Sequence, residues 1–222
     1  MTRLAVFDLD HTLLDGDSDV LWCAFLMDEG RLDRADFAPR NAEMERGYRA
    51  GTVSVQAFCD FYVGTLAGLT PQQLEPLRQR FWTERVQPHL HVGTAALLER
   101  HRERGDLMVL SIATNRCITE LTATGLGFEH LIATECELDA AGRYNGRTQG
   151  RPNMREGKVE RLCAWLADRG LGLDGVDASF YSDSMNDLPL LERVRDPVVT
   201  HGEERLLAIA AERGWRLLDL RA

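Results

Sequence analysis

The chain begins with an apolar run, Leu4-Ala5-Val6-Phe7, that stops at Asp8-Leu9-Asp10. Four apolar residues bounded by polar ones predict a short strand buried on both faces. Helical spacing then takes over, and residues 19 to 88 contain no stretch that reads as a strand. Helices are expected over 19–29 and 33–50, each stopped by a glycine (Gly30, Gly51), and over 54–66 and 70–86. Val55, Phe58, Phe61, Tyr62 and Leu66 form the buried stripe of the third. Thr70-Pro71-Gln72-Gln73 opens the fourth, with a capping box and proline at the first helical position.

From about Pro88 the periodicity changes again. It predicts helix 93–104, strand 107–112, helix 116–124, strand 131–134, helix 157–169, strand 178–182, helix 186–194, strand 197–200, helix 203–213 and a last strand near 215–219. Glu135 to Gly150 reads as a hairpin, with Asn145-Gly146 a stronger turn signal than Ala141-Gly142. Alternating strands and helices imply an α/β fold, a Rossmann-like parallel sheet with helices on both faces. The expected division is a core of residues 1–16 and 89–222, with an all-helical cap, residues 17–88, inserted after the first strand.

Composition narrows the possible partners. With 222 residues, 44% of them hydrophobic, the chain can bury a substantial core. A net charge of −9 argues against nucleic acid and anionic membranes, which need basic patches. Cys23, Cys59, Cys117, Cys136 and Cys163 form no C-x-x-C pair, so a reducing, cytoplasmic setting is expected. Asp8 interrupts any signal-peptide-like segment, and no run approaches the ~20 apolar residues of a membrane span. A monomer or weak homodimer is expected.

Two acids two residues apart at the exit of a buried strand repel each other and lose solvation. That costs several kcal/mol unless a cation or proton offsets it. A hard divalent ion, Mg²⁺, suits carboxylate and carbonyl oxygens, and a carboxylate so placed can attack phosphorus. Further signals follow in the order phosphoryl chemistry would use. Leu107–Leu110 ends in Ser111, with Thr114 and Asn115 just beyond. Lys158 lies in the first turn of a predicted helix, and Phe180-Tyr181-Ser182 opens onto Asp183 and Asp187, with Ser184 as N-cap. All fall at the carboxyl ends of strands or the starts of helices, where open α/β sheets bind ligands.

These motifs resemble the haloacid dehalogenase superfamily, and within it the phosphoserine-phosphatase-like subfamily IB hydrolases with a helical cap. Asp8, Asp10 and Thr12 match D-x-D-x-T, Lys158 the lysine motif, and Asp183 and Asp187 the acidic motif. The segment Phe7–Leu21 is similar to a histidinol-phosphate-phosphatase-like branch. The resemblance spans the chain and implies a Mg²⁺-dependent phosphatase acting on a small-molecule phosphate ester. It would make Asp8 the nucleophile, Asp10 the acid–base, and Lys158 the balance to phosphate charge. Asp8, the Asp10 carbonyl and Asp183 would hold the metal, with Asp187 in its shell or orienting a water, and Thr12 would brace the loop. Ser111, Thr114, Asn115 and Lys158 are the phosphate-binding candidates, Asp17 and Arg49 the cap-side substrate candidates. One motif departs from the pattern. Relatives carry Thr-Ala-Thr-Asn where this chain has Ile112-Ala113-Thr114-Asn115, so the hydroxyl passes either to Ser111 or to Thr114. A phosphotransferase, a phosphonatase or a weakened phosphate-binding protein on the same fold are the alternatives.

Two other patterns lead nowhere. Gly170-Leu171-Gly172-Leu173-Asp174-Gly175 matches G-x-G-x-x-G but ends a helix and precedes a strand, the reverse of a dinucleotide site. His89 and His91 lack a third ligand at metal spacing.

Overall fold

The structure is a computed structural model and describes residues 1–221. The apolar runs form β1 (Thr2–Phe7), β2 (Leu107–Asn115), β3 (His130–Leu138), β4 (Tyr144–Gln149), β5 (Val176–Ser182), β6 (Asp196–Thr200) and β7 (Arg216–Leu218). They build one seven-stranded sheet in the order β4-β3-β2-β1-β5-β6-β7. All neighbours are parallel except β3 and β4. The fold is therefore α/β, as the pattern predicts. β1 lies at the centre, with Phe7 level with Leu110 of β2 and Tyr181 of β5. Asp8, Ser111 and Ser182 are thus the next residues of three adjacent strands, at the sheet's carboxyl edge, where the order of connection reverses.

Between β1 and β2 run α1 (Ser18–Asp28), α2 (Arg34–Arg49), α3 (Val55–Val63) and α4 (Pro71–Phe81). Beyond them come α5 (Thr94–Glu103), α6 (Arg116–Gly125), α7 (Glu156–Ala167), α8 (Leu188–Leu191) and α9 (Glu204–Arg213). Alternation along β1 divides the core. Ala5 and Phe7 join Trp22, Phe25 and Phe81 of the helical insert in one cluster. Leu4 and Val6 join Leu162 and Leu166 of α7 in another. Burial on both faces is why the central strands read as unbroken apolar runs. No helix among the described residues is long and apolar enough to cross a membrane.

Three local expectations need correcting. The β3–β4 turn is at Ala141-Gly142, not Asn145-Gly146. The Asp139 carboxylate accepts the Ala141 and Arg143 N–H groups, and Gly142 takes the left-handed conformation, φ 72°. The Tyr144 N–H and carbonyl are taken by Leu69 and Gly68 of the insert, so the chain is already extended before Asn145. The helix expected over 186–194 is a 3₁₀ turn, Met185–Asp187, followed by the single turn of α8. The fourth helix of the insert ends as α-helix at Phe81 and continues as a π turn over Trp82–Val86, ahead of the N–H-less Pro88.

Candidate active site

Asp8 leaves β1 with its N–H still bonded to the Tyr181 carbonyl, 3.0 Å away, which fixes its direction. The chain then coils tightly. Thr12, Leu13 and Leu14 all donate to the Leu9 carbonyl, while His11 adopts φ 54° and donates to the Gly16 carbonyl. This loop returns Asp10 and Thr12 beside Asp8. Lys158 is fully buried, and its Nζ bridges Asp8 Oδ1 at 2.9 Å and Asp187 Oδ2 at 2.7 Å. Ser182 Oγ also donates to Asp187 Oδ2, at 2.7 Å. Thr12 Oγ1 lies 3.4 Å from Asp8 Oδ2 and 3.2 Å from Asp183 Oδ1, and accepts the Asp183 N–H at 3.1 Å. Asp8, Asp10, Lys158, Asp183 and Asp187 all line one cavity of about 720 Å³.

Negative charge exceeds positive charge at the centre of this group. Four aspartates face one lysine, and Asp8, Asp10 and Asp183 respond by resisting ionisation. Burial, and then the Asp8 and Asp187 charges, push Asp183 up to about 8. Asp8 rises only to about 6, because Lys158 opposes the effect of burial. Asp10 is pushed well above the ordinary carboxylate range by burial, then by Asp17 and Asp8. Burial alone would lower Lys158, but Asp187 and Asp8 outweigh it and raise it. The centre lacks positive charge.

A hard cation answers that deficit, and the donor set suits one. Asp8 and Asp183 line the cavity with carboxylates, and the Asp10 loop lies beside them. No cluster of three His, Cys, Asp or Glu side chains fit to hold a metal occurs among the described residues. An ion here would therefore keep waters, as Mg²⁺ tends to do. Asp187 Oδ2 is taken by Lys158 and Ser182, which leaves its Oδ1 for the metal shell or for orienting a water.

The phosphate-side candidates separate. β2 changes register between Ile112 and Asn115, so Ala113 and Thr114 bulge from the ladder. Such bulges re-aim side chains. Ala113 lines the cavity. Thr114 Oγ1 donates toward Asp10 Oδ2 at 3.1 Å and also contacts Asp19 and Ser18. Asp10 Oδ1 accepts the Ser18 N–H at 2.8 Å. Ser111 is fully buried and does not line the cavity; its Oγ accepts from Asn153 Nδ2 at 3.1 Å. Asn115 is buried too, and its side-chain oxygen caps α6 by accepting the Ile118 N–H. Ser111 and Asn115 thus make internal contacts, with Asn115 Nδ2 buried and unpartnered, and Thr114 Oγ1 meets Asp10. Ser18, Asp19 and Asn153 were not foreseen. Ser18 and Asp19 follow Asp17 as a polar run that sequence reading could have flagged, whereas nothing local marks Asn153.

Farther out, Asp17 and Arg49 line the cavity together with Tyr48 and Phe58. Asp17 also caps α1, its Oδ1 accepting the Val20 N–H at 2.9 Å. Burial leads the factors that raise it above its ordinary range. A side recess of the same wall adds Glu45 and Tyr62.

The carboxylate–lysine centre thus gathers at the sheet's carboxyl edge, where open α/β sheets bind ligands. The family model for haloacid dehalogenase-like hydrolases matches residues 5–192, and the chain belongs to that family. A histidinol-phosphatase of Neisseria meningitidis is 36% identical over 222 residues, covering all of both chains. A solved protein of unknown function from Bordetella pertussis Tohama I superposes with a TM-score of 0.94 at 42% identity, covering 99% of this chain and 100% of that one. A phosphoserine phosphatase solved as a phospho-aspartyl intermediate analogue shares the fold, with a TM-score of 0.67 at 14% identity over 100% of this chain and 94% of its own.

Proposed function

We propose that the chain is a Mg²⁺-dependent phosphatase that hydrolyses a small phosphomonoester through an aspartyl-phosphate on Asp8. The observation that carries this reading is Lys158 bridging Asp8 and Asp187, with Asp10 and Asp183 facing the same cavity. In the first half-reaction the Asp8 carboxylate attacks phosphorus and the ester P–O bond breaks. The Asp10 carboxyl, whose burial and acidic neighbours favour its protonated form, gives its proton to the departing alkoxide. In the second half-reaction Asp10 accepts a proton from water, which attacks phosphorus and frees Asp8 and inorganic phosphate. Such acid–base help is typically worth ~10²–10⁴ in rate. Lys158 holds Asp8 ionised and balances phosphate charge; Thr114 and the Ser18 N–H fix the two oxygens of Asp10. Asp8, Asp183 and the Asp10 carbonyl would hold Mg²⁺, which lowers the charge repulsion between carboxylates and phosphate.

The helical insert, residues 17–88, acts in this reading as a cap that shapes the leaving-group side. Asp17 and Glu45 stand near Phe58 and Tyr62, an acidic and aromatic wall suited to an amino-bearing alcohol. The Neisseria relative named histidinol-phosphatase supports histidinol phosphate as the first ester to try. The test is phosphate release from a panel of metabolite phosphomonoesters, with Mg²⁺ and with EDTA. Turnover of at least one ester that needs Mg²⁺ is expected; undiminished turnover in EDTA would refute the mechanism.

A further inference from the structure

The helical insert is attached to the sheet unevenly. At one side α3, α4 and the segment after α3 are firmly tied. Gly68 and Leu69 pair with both backbone groups of Tyr144. Asp60 accepts the Thr148 N–H at 2.7 Å, and Arg78 bridges to Glu120 of α6 at 2.8 Å. At the other side α2 buries only Phe37 among its sixteen residues. Near its end stands Tyr48, whose ring stacks on Phe58 at 4.3 Å.

The Tyr48 hydroxyl crosses the cavity mouth to the catalytic loops. It lies 3.2 Å from Asn186 Oδ1 and 3.2 Å from Met154 Sδ. Arg155 donates from Nε to the same Asn186 oxygen at 3.1 Å, and its guanidinium sits 5.2 Å over the Tyr48 ring. Both partners belong to the turns that carry the proposed machinery. Asn186 lies between Asp183 and Asp187 in the 3₁₀ turn. The Arg155 carbonyl accepts the Lys158 N–H at 3.0 Å, opening α7. Arg155 itself is held at φ 54° and ψ −127°, a conformation that glycine adopts far more readily. A side chain kept at such a position, pinned between Tyr48 and Asn186, is hard to explain as surface packing.

We propose that Tyr48 is a positioning residue, which ties the leaving-group wall on α2 to the turns bearing Lys158 and Asp187. A leaving group that fits against α2 holds Tyr48 on the contacts it already makes with Asn186 and Met154. Tyr48 then steadies Asn186 and Arg155, and through them the two ends of the Asp187–Lys158 bridge. This inference rests on the phosphatase reading of the site and adds to it a route by which the fit of the alcohol is felt at the phosphoryl centre.

The test compares the parent, Tyr48→Phe and Tyr48→Ala on histidinol phosphate, or on the best ester of the panel, and on acetyl phosphate, whose leaving group is too small to reach α2. Tyr48→Phe keeps the ring and its stacking and removes only the hydroxyl. The expected result is that Tyr48→Phe lowers the ratio of kcat/KM for the large ester to that for acetyl phosphate by about tenfold. Most of that loss should lie in kcat, with KM changed less than threefold, and Tyr48→Ala should add little further loss. A Tyr48→Phe ratio equal to the parent's overturns the inference alone, and so does a loss seen only in Tyr48→Ala, which would mean that the ring merely fills space. Failure of the parent to release phosphate from any ester overturns the phosphatase reading and this inference together.

Discussion

Without metal, the protein should lose stability as pH rises from about 4 to about 8, and Mg²⁺ should restore it. The reasoning starts from Asp183, whose folded-state value stands near 8 against an ordinary 3.8, through burial and the Asp8 and Asp187 charges. A carboxyl with a raised folded value binds its proton more tightly in the folded state than in the unfolded one. Its contribution is therefore fully present below 3.8 and is lost as pH climbs through the folded value. The span from 3.8 to about 8 corresponds to about 6 kcal/mol. For Asp8 the span from 3.8 to about 6 corresponds to about 3 kcal/mol. The Asp187 charge enters both shifts and the two groups titrate in one cluster, so they do not add, and the larger sets the scale. At roughly 2–4 °C per kcal/mol for a chain of this size, the melting temperature in EDTA should fall on the order of 10 °C between pH 5 and pH 8.5. A cation shared by the two carboxylates removes the repulsion, so the rise in melting temperature on adding Mg²⁺ should be small at pH 5 and large at pH 8.5. Thermal unfolding followed by circular dichroism at four or five pH values, with EDTA or Mg²⁺, measures both trends. An EDTA curve that is flat or rising over this range would refute the electrostatic account, as would a magnesium increment independent of pH.

Four further substitutions separate the proposed roles. Asp8→Asn should abolish a beryllofluoride adduct and turnover together, whereas Asp10→Asn should still form the adduct but turn over ~10²–10⁴-fold more slowly; near-parent turnover by Asp8→Asn would exclude covalent catalysis there. Thr114→Val frees one oxygen of Asp10 and should cut kcat tenfold or more. Ser111→Ala should leave kcat/KM within twofold and cost under about 1 kcal/mol, because Asn153 Nδ2 keeps the Ile112 and Ile132 carbonyls as acceptors; the reverse ranking would return the phosphate contact to Ser111.

The parts of the fold legible in the sequence were those governed by local rules. Leu4–Phe7, Leu107–Leu110 and Phe180–Ser182 read as strands because a strand buried on both faces must be apolar at every position. Asp33, Ser54 and Thr70 mark helix starts because their side chains accept N–H groups two or three residues on, within the same segment. What escaped depends on contacts distant in sequence. Asn145-Gly146 has stronger turn chemistry than Ala141-Gly142, yet the insert's Gly68 and Leu69 commit Tyr144 to an extended pairing first. Likewise, spacing alone brings Asp187 into the acidic motif, and only the position of Lys158 on a separate helix shows which of its oxygens is engaged.

The departure at Ile112 has the same origin. Phe7 lies level with Leu110, so Ser111 falls on the side of the sheet that Asp8 faces, and Ile112 falls with Phe7 and Leu9 in the apolar cluster. A hydroxyl at 112 on this backbone would be buried among hydrocarbon, where an unpaired polar group costs ~1–3 kcal/mol. Isoleucine is the residue that this face favours. An ungapped comparison assumes that β2 keeps its pairing to the end, but the ladder shifts between Ile112 and Asn115 and sends Ala113 to the cavity and Thr114 to Asp10. The missing hydroxyl therefore removes no contact that this strand could have made. The phosphate would meet the backbone around Ala113 and the Lys158 ammonium, and the hydroxyl that matters would be Thr114, acting on the acid rather than on the substrate.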